Sequence, residues 1–164
     1  MRMIDGTDAE ILSILQDNCR TSNAEIARQV GLAPSGVFDR IRKLEEKGII
    51  RGYRAEIDPR ALGLGQLAYI FIRSNDRPGG AATAEKLAAI PELLELHHVA
   101  GEDCFLAKVR ARDAEALGRL LRERLGRITT ITSTRTTIVL EVVKETSALP
   151  LRSESEHREA AARV

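Results

Sequence analysis

Ser35, Asp39, Arg42 and Lys43 recur at a spacing that places them on one side of a helix, with Gly36 among them and Phe38 and Arg40 at the flanks. Such a polar, mostly basic face suits hydrogen bonding and charge pairing with a polyanion, as does the simple solvation of an exposed helix. A second set is Gly101-Glu102-Asp103-Cys104. Glycine lets the backbone approach closely, successive turn N–H groups can hold a carboxylate, and the Asp103 carboxylate can pair with an ammonium. Together these suit a free α-amino acid, although an ordinary hairpin turn has the same composition. Nothing else in the 164 residues has the spacing of a phosphate loop, a nucleophile elbow or a zinc site. His97 and His98 are adjacent, so a strand points them to opposite faces, where they make poor partners for one metal. No catalytic residue, metal or cofactor is expected, and the chain does not read as an enzyme.

The elements around the first set decide between solvation and binding. Ser22 and Glu25 form a capping-box pair that starts a helix with an apolar stripe of Ile26, Ala27 and Val30. Gly31 supplies the left-handed residue that ends it, and Pro34 suits the first position of a second helix. Val37, Ile41 and Leu44 then recur at i, i+4, i+7, burying the side opposite Ser35 and Asp39. An earlier helix is expected from Asp8 to Asp17, capped by Thr7 and Glu10, with Ile11, Leu12, Ile14 and Leu15 inward. After Gly48, residues 49–57 read as a strand that carries Arg51 and Arg54 toward a phosphate backbone. Three helices and a strand make a winged helix-turn-helix over residues 1–57, whose last helix enters the major groove of duplex DNA.

Charge is distributed accordingly. The formal net charge is only +1, but Ser35 to Arg54 holds six basic residues against three acidic ones, and Met1 to Pro34 three against five. With so few phosphate contacts per subunit, useful affinity needs several copies on one DNA. Low aromatic content and the absence of tryptophan argue against a base-stacking single-strand binder. Cys19 and Cys104 fall in different domains and read as reduced thiols. With no apolar signal core and no stretch of membrane-spanning length, the expected location is cytoplasmic, without a membrane partner.

Residues 58–65, with a proline and two glycines, read as a linker. Beyond it the order is strand (67–72), helix (81–90), strand (93–99), strand (104–111), helix after Asp113, and strand (131–143). That is the ferredoxin-like βαββαβ arrangement, assigned to residues 66–151, which makes the whole chain α+β. The first strand is apolar on both faces, so helices on one side leave the other for a second subunit to cover. Residues 152–164 form a polar tail.

The chain resembles the Lrp/AsnC family of leucine-responsive, feast/famine regulators. The resemblance lies in Ala27-Arg28-Gln29-Val30-Gly31-Leu32, Pro34-Ser35, Arg40-Ile41, Gly48-Ile49-Ile50 and Gly52-Tyr53, and continues through Asp58-Pro59, Val99-Ala100-Gly101-Glu102-Asp103, Thr134-Arg135-Thr136 and Lys144-Glu145-Thr146. It implies a transcriptional regulator of amino-acid metabolism that dimerises sheet to sheet and assembles further into tetramers or octamers. The DNA contacts expected from the helix face and the wing are Ser35, Gly36, Phe38, Asp39, Arg40, Arg42, Lys43, Arg51 and Arg54. The resemblance implies an interfacial pocket for an effector, a free amino acid, at Gly101, Glu102, Asp103, Cys104, Thr134 and Thr136. Relatives that bind leucine or asparagine tend to carry an aromatic then an aspartate where this chain has Asp103 and Cys104, which implies either a different ligand or an acidic group moved by one place. Ala33 stands where many relatives have a capping serine. Asp39 repels phosphate but can accept from the cytosine amino group, selecting sequence at a cost in affinity. The alternatives are a DNA-organising protein that needs no ligand and an enzyme related in architecture, such as a sirohaem decarboxylase.

Overall fold

The structure, a computed structural model, describes residues 4–76 and 81–151; the polar tail at 152–164 lies outside the described residues. The described residues divide into two compact units, one built from residues 4–55 together with residues 145–151, the other lying within Glu56–Lys144.

The first unit holds α1 (Gly6–Asp17), α2 (Asn23–Val30) and α3 (Pro34–Glu46). Ile11, Ile26, Ala27 and Val37 form its core, with Ile14, Leu15, Val30 and Ile41 packed against them. Full burial of each large aliphatic side chain stabilises by roughly 1.5–3 kcal/mol. α1 starts earlier than expected. Asp5, not Thr7, is its N-cap, and Asp8 takes the place of Glu10 in the capping box. Asp5 accepts from the Asp8 N–H at 2.7 Å, an acceptor that reaches the open first turn ahead of the threonine. α2 ends at Gly31 with φ 69°, and the Leu32 N–H closes the turn on the Ala27 carbonyl at 3.0 Å.

The strand expected over residues 49–57 does not form. The N–H groups of Ile49 and Ile50 turn back to the Leu44 carbonyl, and the stretch from Arg51 to Asp58 is exposed. A strand needs a ladder, and among the described residues no segment pairs with this one. The segment from Glu145 groups with the helices: the Gln16 side chain accepts from the Leu149 N–H at 2.7 Å and donates to its carbonyl at 3.0 Å.

The second unit opens with a turn in which the Leu62 and Leu64 N–H groups reach the Pro59 carbonyl. Then come β1 (Gln66–Ser74), α4 (Ala82–Ala88), β2 (Leu93–His98), β3 (Phe105–Ala111), α5 (Ala114–Glu123), a short 3-10 turn (Leu125–Arg127) and β4 (Ile131–Ile138). The sheet is antiparallel in the order β2-β3-β1-β4, which is the expected ferredoxin-like topology. Ala68, Ile70 and Ile72 of β1 and Phe105, Ala107 and Val109 of β3 face the helices, meeting Leu87, Leu117, Leu120 and Leu125. Asp113 caps α5 by accepting from the Ala116 N–H at 2.7 Å. β4 stops at Ile138 instead of Val143: Ala68 pairs with Ile138 and the Val139 N–H still reaches the Leu67 carbonyl, after which β1 offers no further ladder.

Candidate DNA-binding and effector sites

α3 begins after Ala33, which has extended backbone (ψ 147°) but no side chain to accept a capping bond, and Pro34 starts the helix as the sequence predicts. Val37 and Leu44 are buried beneath it. Ser35, Phe38, Asp39, Arg42 and Lys43 are exposed together, while Gly36 is half-buried in the first turn. Arg42 sits between two carboxylates of its own helix, 3.5 Å from Asp39 and 3.8 Å from Glu46. Phe38 is 55% exposed, an aromatic ring with no core role.

Arg40 is not part of that face. It follows Val37 by three residues and precedes Leu44 by four, so the helical period turns it toward their side. Its Nη1 donates to Asp5 Oδ2 and to Asp8 Oδ1, both at 2.7 Å. The Asp5 carboxyl is held below its ordinary value, first by the Asp8 backbone N–H and then by Arg40. Arg51 and Arg54 are exposed as expected, but on a stretch without strand pairing.

In the second unit the turn from Gly101 to Cys104 joins β2 to β3. The Val99 N–H reaches the Cys104 carbonyl at 2.9 Å, and the Cys104 N–H reaches the Ile72 carbonyl of β1 at 2.9 Å. Gly101 has φ 135°, a conformation that favours glycine. The Cys104 Sγ lies 3.4 Å from the Ser74 nitrogen, closing the turn onto the end of β1. Both cysteines are free thiols.

Two arginines meet this turn. Arg73 donates through Nε to the Glu102 carbonyl at 3.0 Å and places Nη2 3.3 Å from the Glu102 carboxylate. Arg135 on β4 reaches Asp103 Oδ2 at 3.2 Å, and its guanidinium lies 4.0 Å from the Phe71 ring centroid. Sequence reasoning missed Arg73, Arg135 and Phe71. It named Thr134 and Thr136, which are paired with Ile72 and Ile70 and so share the helix-covered face. Arg135, between them, pairs with Phe71 on the open face. The alternation along Ser133-Thr134-Arg135-Thr136-Thr137 was the available signal, but only the register with β1 says which parity faces the turn.

The open face continues across the sheet. Glu95 meets Lys108 at 3.0 Å and His97 at 3.3 Å, and these bonds, Lys108 foremost, hold its carboxyl below the ordinary range. His97 and His98 do point to opposite faces: the His98 ring packs against Phe105 of the core with centroids 5.1 Å apart. Among the described residues no cluster of three His, Cys, Asp or Glu could hold a metal ion, and no helix is long and apolar enough to cross a membrane.

Both units match known domains. Residues 4–51 match a winged helix-turn-helix DNA-binding model, and residues 67–149 match the Lrp/AsnC ligand binding domain. The chain is 36% identical over 149 residues to the HTH-type transcriptional regulator FL11 of Pyrococcus horikoshii, covering 91% of this chain and 97% of that protein. The chain belongs to the Lrp/AsnC family. Among solved structures, the transcriptional regulator NMB0573 of Neisseria meningitidis in complex with L-Met superposes with a TM-score of 0.85 at 30% identity, covering 91% of this chain and 97% of that one. The feast or famine regulatory protein Rv3291c of M. tuberculosis, complexed with L-methionine, gives a TM-score of 0.81 at 30% identity, covering 88% and 97%. These three relatives are regulators by name.

Proposed function

We propose that this chain is a homo-oligomeric, cytoplasmic transcriptional regulator that binds duplex DNA through the outward face of α3 and responds to a free amino acid at the turn from Gly101 to Cys104. The observation that carries the effector assignment is the pairing of the turn's two carboxylates with two guanidinium groups, Glu102 with Arg73 and Asp103 with Arg135. A zwitterionic amino acid carries the same two charges and can exchange with such a pair. Its ammonium takes Asp103 from Arg135, and its carboxylate takes the released guanidinium or the N–H groups of the turn. The L-methionine held by two relatives supports this ligand class.

On the DNA side, Ser35, Asp39, Arg42 and Lys43 contact the major groove, and the exposed Arg51 and Arg54 contact phosphates. A second copy covers the open sheet face, where Tyr69, Phe71 and Leu106 are half-buried. Ligand binding then shifts the population among arrangements of the assembled copies, and with it the spacing of their α3 helices.

The test is a thermal-shift screen of the full chain against the twenty common amino acids, L-methionine first, followed by gel shifts with and without the best ligand. A ligand at 100 times its Kd adds ~2.7 kcal/mol of apparent stability. If no amino acid raises the melting temperature and DNA still binds, the ligand-free DNA-organising reading replaces this one. Sedimentation of the full chain at micromolar concentration reads the assembly, and a monomer there contradicts the interfacial arrangement.

A further inference from the structure

We propose that Arg40 is a positioning residue for DNA recognition, tying the middle of α3 to the capping box of α1 so that Asp39 and Arg42 face the groove at a fixed angle. The proposal rests on the DNA-binding reading of α3.

The bonding is divided among named atoms. Asp5 Oδ1 accepts from the Asp8 N–H at 2.7 Å, and Asp8 Oδ2 faces the Asp5 N–H at 3.4 Å. Those contacts cap α1. The remaining oxygens, Asp5 Oδ2 and Asp8 Oδ1, both accept from Arg40 Nη1 at 2.7 Å. One nitrogen with two hydrogens therefore bridges two carboxylates, each already oriented by a backbone N–H. The Asp8 side chain is 16% exposed, that of Arg40 34% and that of Asp5 55%, so the Asp8 half of the bridge is partly shielded and the Asp5 half is open to solvent.

The consequence for recognition follows from the helix period. Arg40 is one residue from Asp39 and two from Arg42, so rotation of α3 about its axis moves all three together. Val37 and Leu44 hold the helix down by non-directional packing, which tolerates small rotations. The two charge-assisted bonds at Arg40 are directional and select one rotation. Base readout requires that selection, whereas phosphate attraction is far less sensitive to it.

The experiment compares full-length R40Q, R40K, the double variant D5N/D8N and the combined triple variant R40Q/D5N/D8N. The probes are a duplex selected by the parent chain from a random-sequence pool and a scrambled duplex, each titrated over several salt concentrations, with circular dichroism confirming helix content. For R40Q the selected duplex should bind roughly 10-fold more weakly, the scrambled one should be little changed, and the salt slope should match the parent. R40K, which keeps the charge and loses the planar fork, should recover part of the discrimination.

D5N/D8N is the decisive arm. It removes two negative charges from a DNA-binding unit, so electrostatics alone makes every duplex bind more tightly. The positioning role instead makes the selected duplex bind more weakly, by about as much as R40Q, with the triple variant no worse than either. Tighter binding of both duplexes by D5N/D8N, with a salt slope about one unit shallower for R40Q, would show that Arg40 is a phosphate contact and overturn the proposal. Should R40Q lose helix content, the D5N/D8N and R40K arms decide alone, because neither removes the cation from α3. Failure of the parent to select any duplex sinks the DNA reading. The bridge itself is then read by chemical denaturation: additive losses for R40Q and D5N/D8N would show that it carries no coupling and overturn the positioning role as well.

Discussion

Arg135 lies over the ring of Phe71, its guanidinium carbon 4.0 Å from the ring centroid, while its Nη2 reaches Asp103. One side chain thereby ties β4 to β1 and both to the turn from Gly101. A cation–π contact at an exposed site contributes roughly 0.5–1 kcal/mol. A double-mutant cycle with F71L and R135A should therefore return a coupling of about that size in chemical denaturation. A coupling within experimental error of zero would mean that the stacking has geometry without energy. The Asp103 ion pair, with Arg135 63% exposed, should add little to stability.

On α3, Arg42 is flanked by Asp39 and Glu46, so its charge is partly neutralised before any DNA arrives. R42A should weaken duplex binding and flatten the dependence of log K on log salt by roughly one unit. E46Q should act in the opposite direction, strengthening binding to selected and scrambled duplexes alike, because it removes a competitor and a negative charge. D39A should also raise general affinity but lower the ratio between selected and scrambled duplexes. Fluorescence titrations at several salt concentrations separate the three. An unchanged ratio for D39A would show that this carboxylate reads no base.

Ala33 offers a stabilising substitution. Its backbone has extended N-cap geometry (φ −75°, ψ 147°), yet no side chain caps α3. A serine there can accept from an N–H of the first turn, as Ser22 does for α2 by accepting from the Glu25 N–H at 3.2 Å. A33S should raise the stability of the helical unit by about 0.5–1 kcal/mol, read as a higher denaturation midpoint with unchanged m. A loss of stability would show that the α2–α3 turn cannot accommodate the hydroxyl.

Much of the helical unit was legible because its signals are local. Ser22, Gly31 and Pro34 each act within a few residues and cap, end and start their helices as the sequence predicts, although the Glu25 carboxylate turns to Gln29 and Arg28 and does not complete the expected capping box. What failed depended on partners distant in sequence, or on competition between nearby ones. Residues 49–57 have strand-forming composition, but composition does not supply a ladder. Thr7 was read as the cap of α1, but Asp5 takes that place through the Asp8 N–H and is held as well by Arg40, 35 residues away. Arg40 itself was readable from the helical period, which sets it beside Val37 and Leu44. The proposed effector turn was picked out from Gly101 and its carboxylates, whereas the two guanidinium groups that meet it, on Arg73 and Arg135, needed the β1–β4 register.

Acid should loosen α1 through Asp5. Its carboxyl is held below the ordinary value of 3.8, by the Asp8 N–H first and Arg40 second. A group whose folded pKa lies below the unfolded one adds stability that is complete above the unfolded value and is lost as pH falls through the folded value. The stability gap between the parent and D5N should therefore be widest near neutral pH and shrink below about pH 4. Paired denaturation series at neutral and acid pH give the gap directly, and a gap that does not shrink would mean that the Asp5 charge contributes nothing to the folded state.

Gly101 tests the effector site most directly. With φ 135° its backbone is one that side-chain-bearing residues rarely adopt, yet beyond its two chain neighbours no heavy atom lies within 4 Å of where a Cβ would stand. G101V therefore acts in two ways that converge: it strains the turn and it puts branched carbons into open space beside the N–H groups proposed to meet the ligand carboxylate. Amino-acid response should be abolished, while ligand-free DNA binding persists because the helical unit has its own core. D103A should weaken the response through loss of the ammonium partner, by about 1.5–3 kcal/mol for a charge-assisted bond. E102A, which leaves Asp103 and the glycine in place, should bind ligand more tightly than D103A does. Calorimetry with the best amino acid from the thermal screen measures all three variants, and gel shifts report the DNA side. Parent-like calorimetric affinity in both G101V and D103A would place the effector elsewhere on the chain.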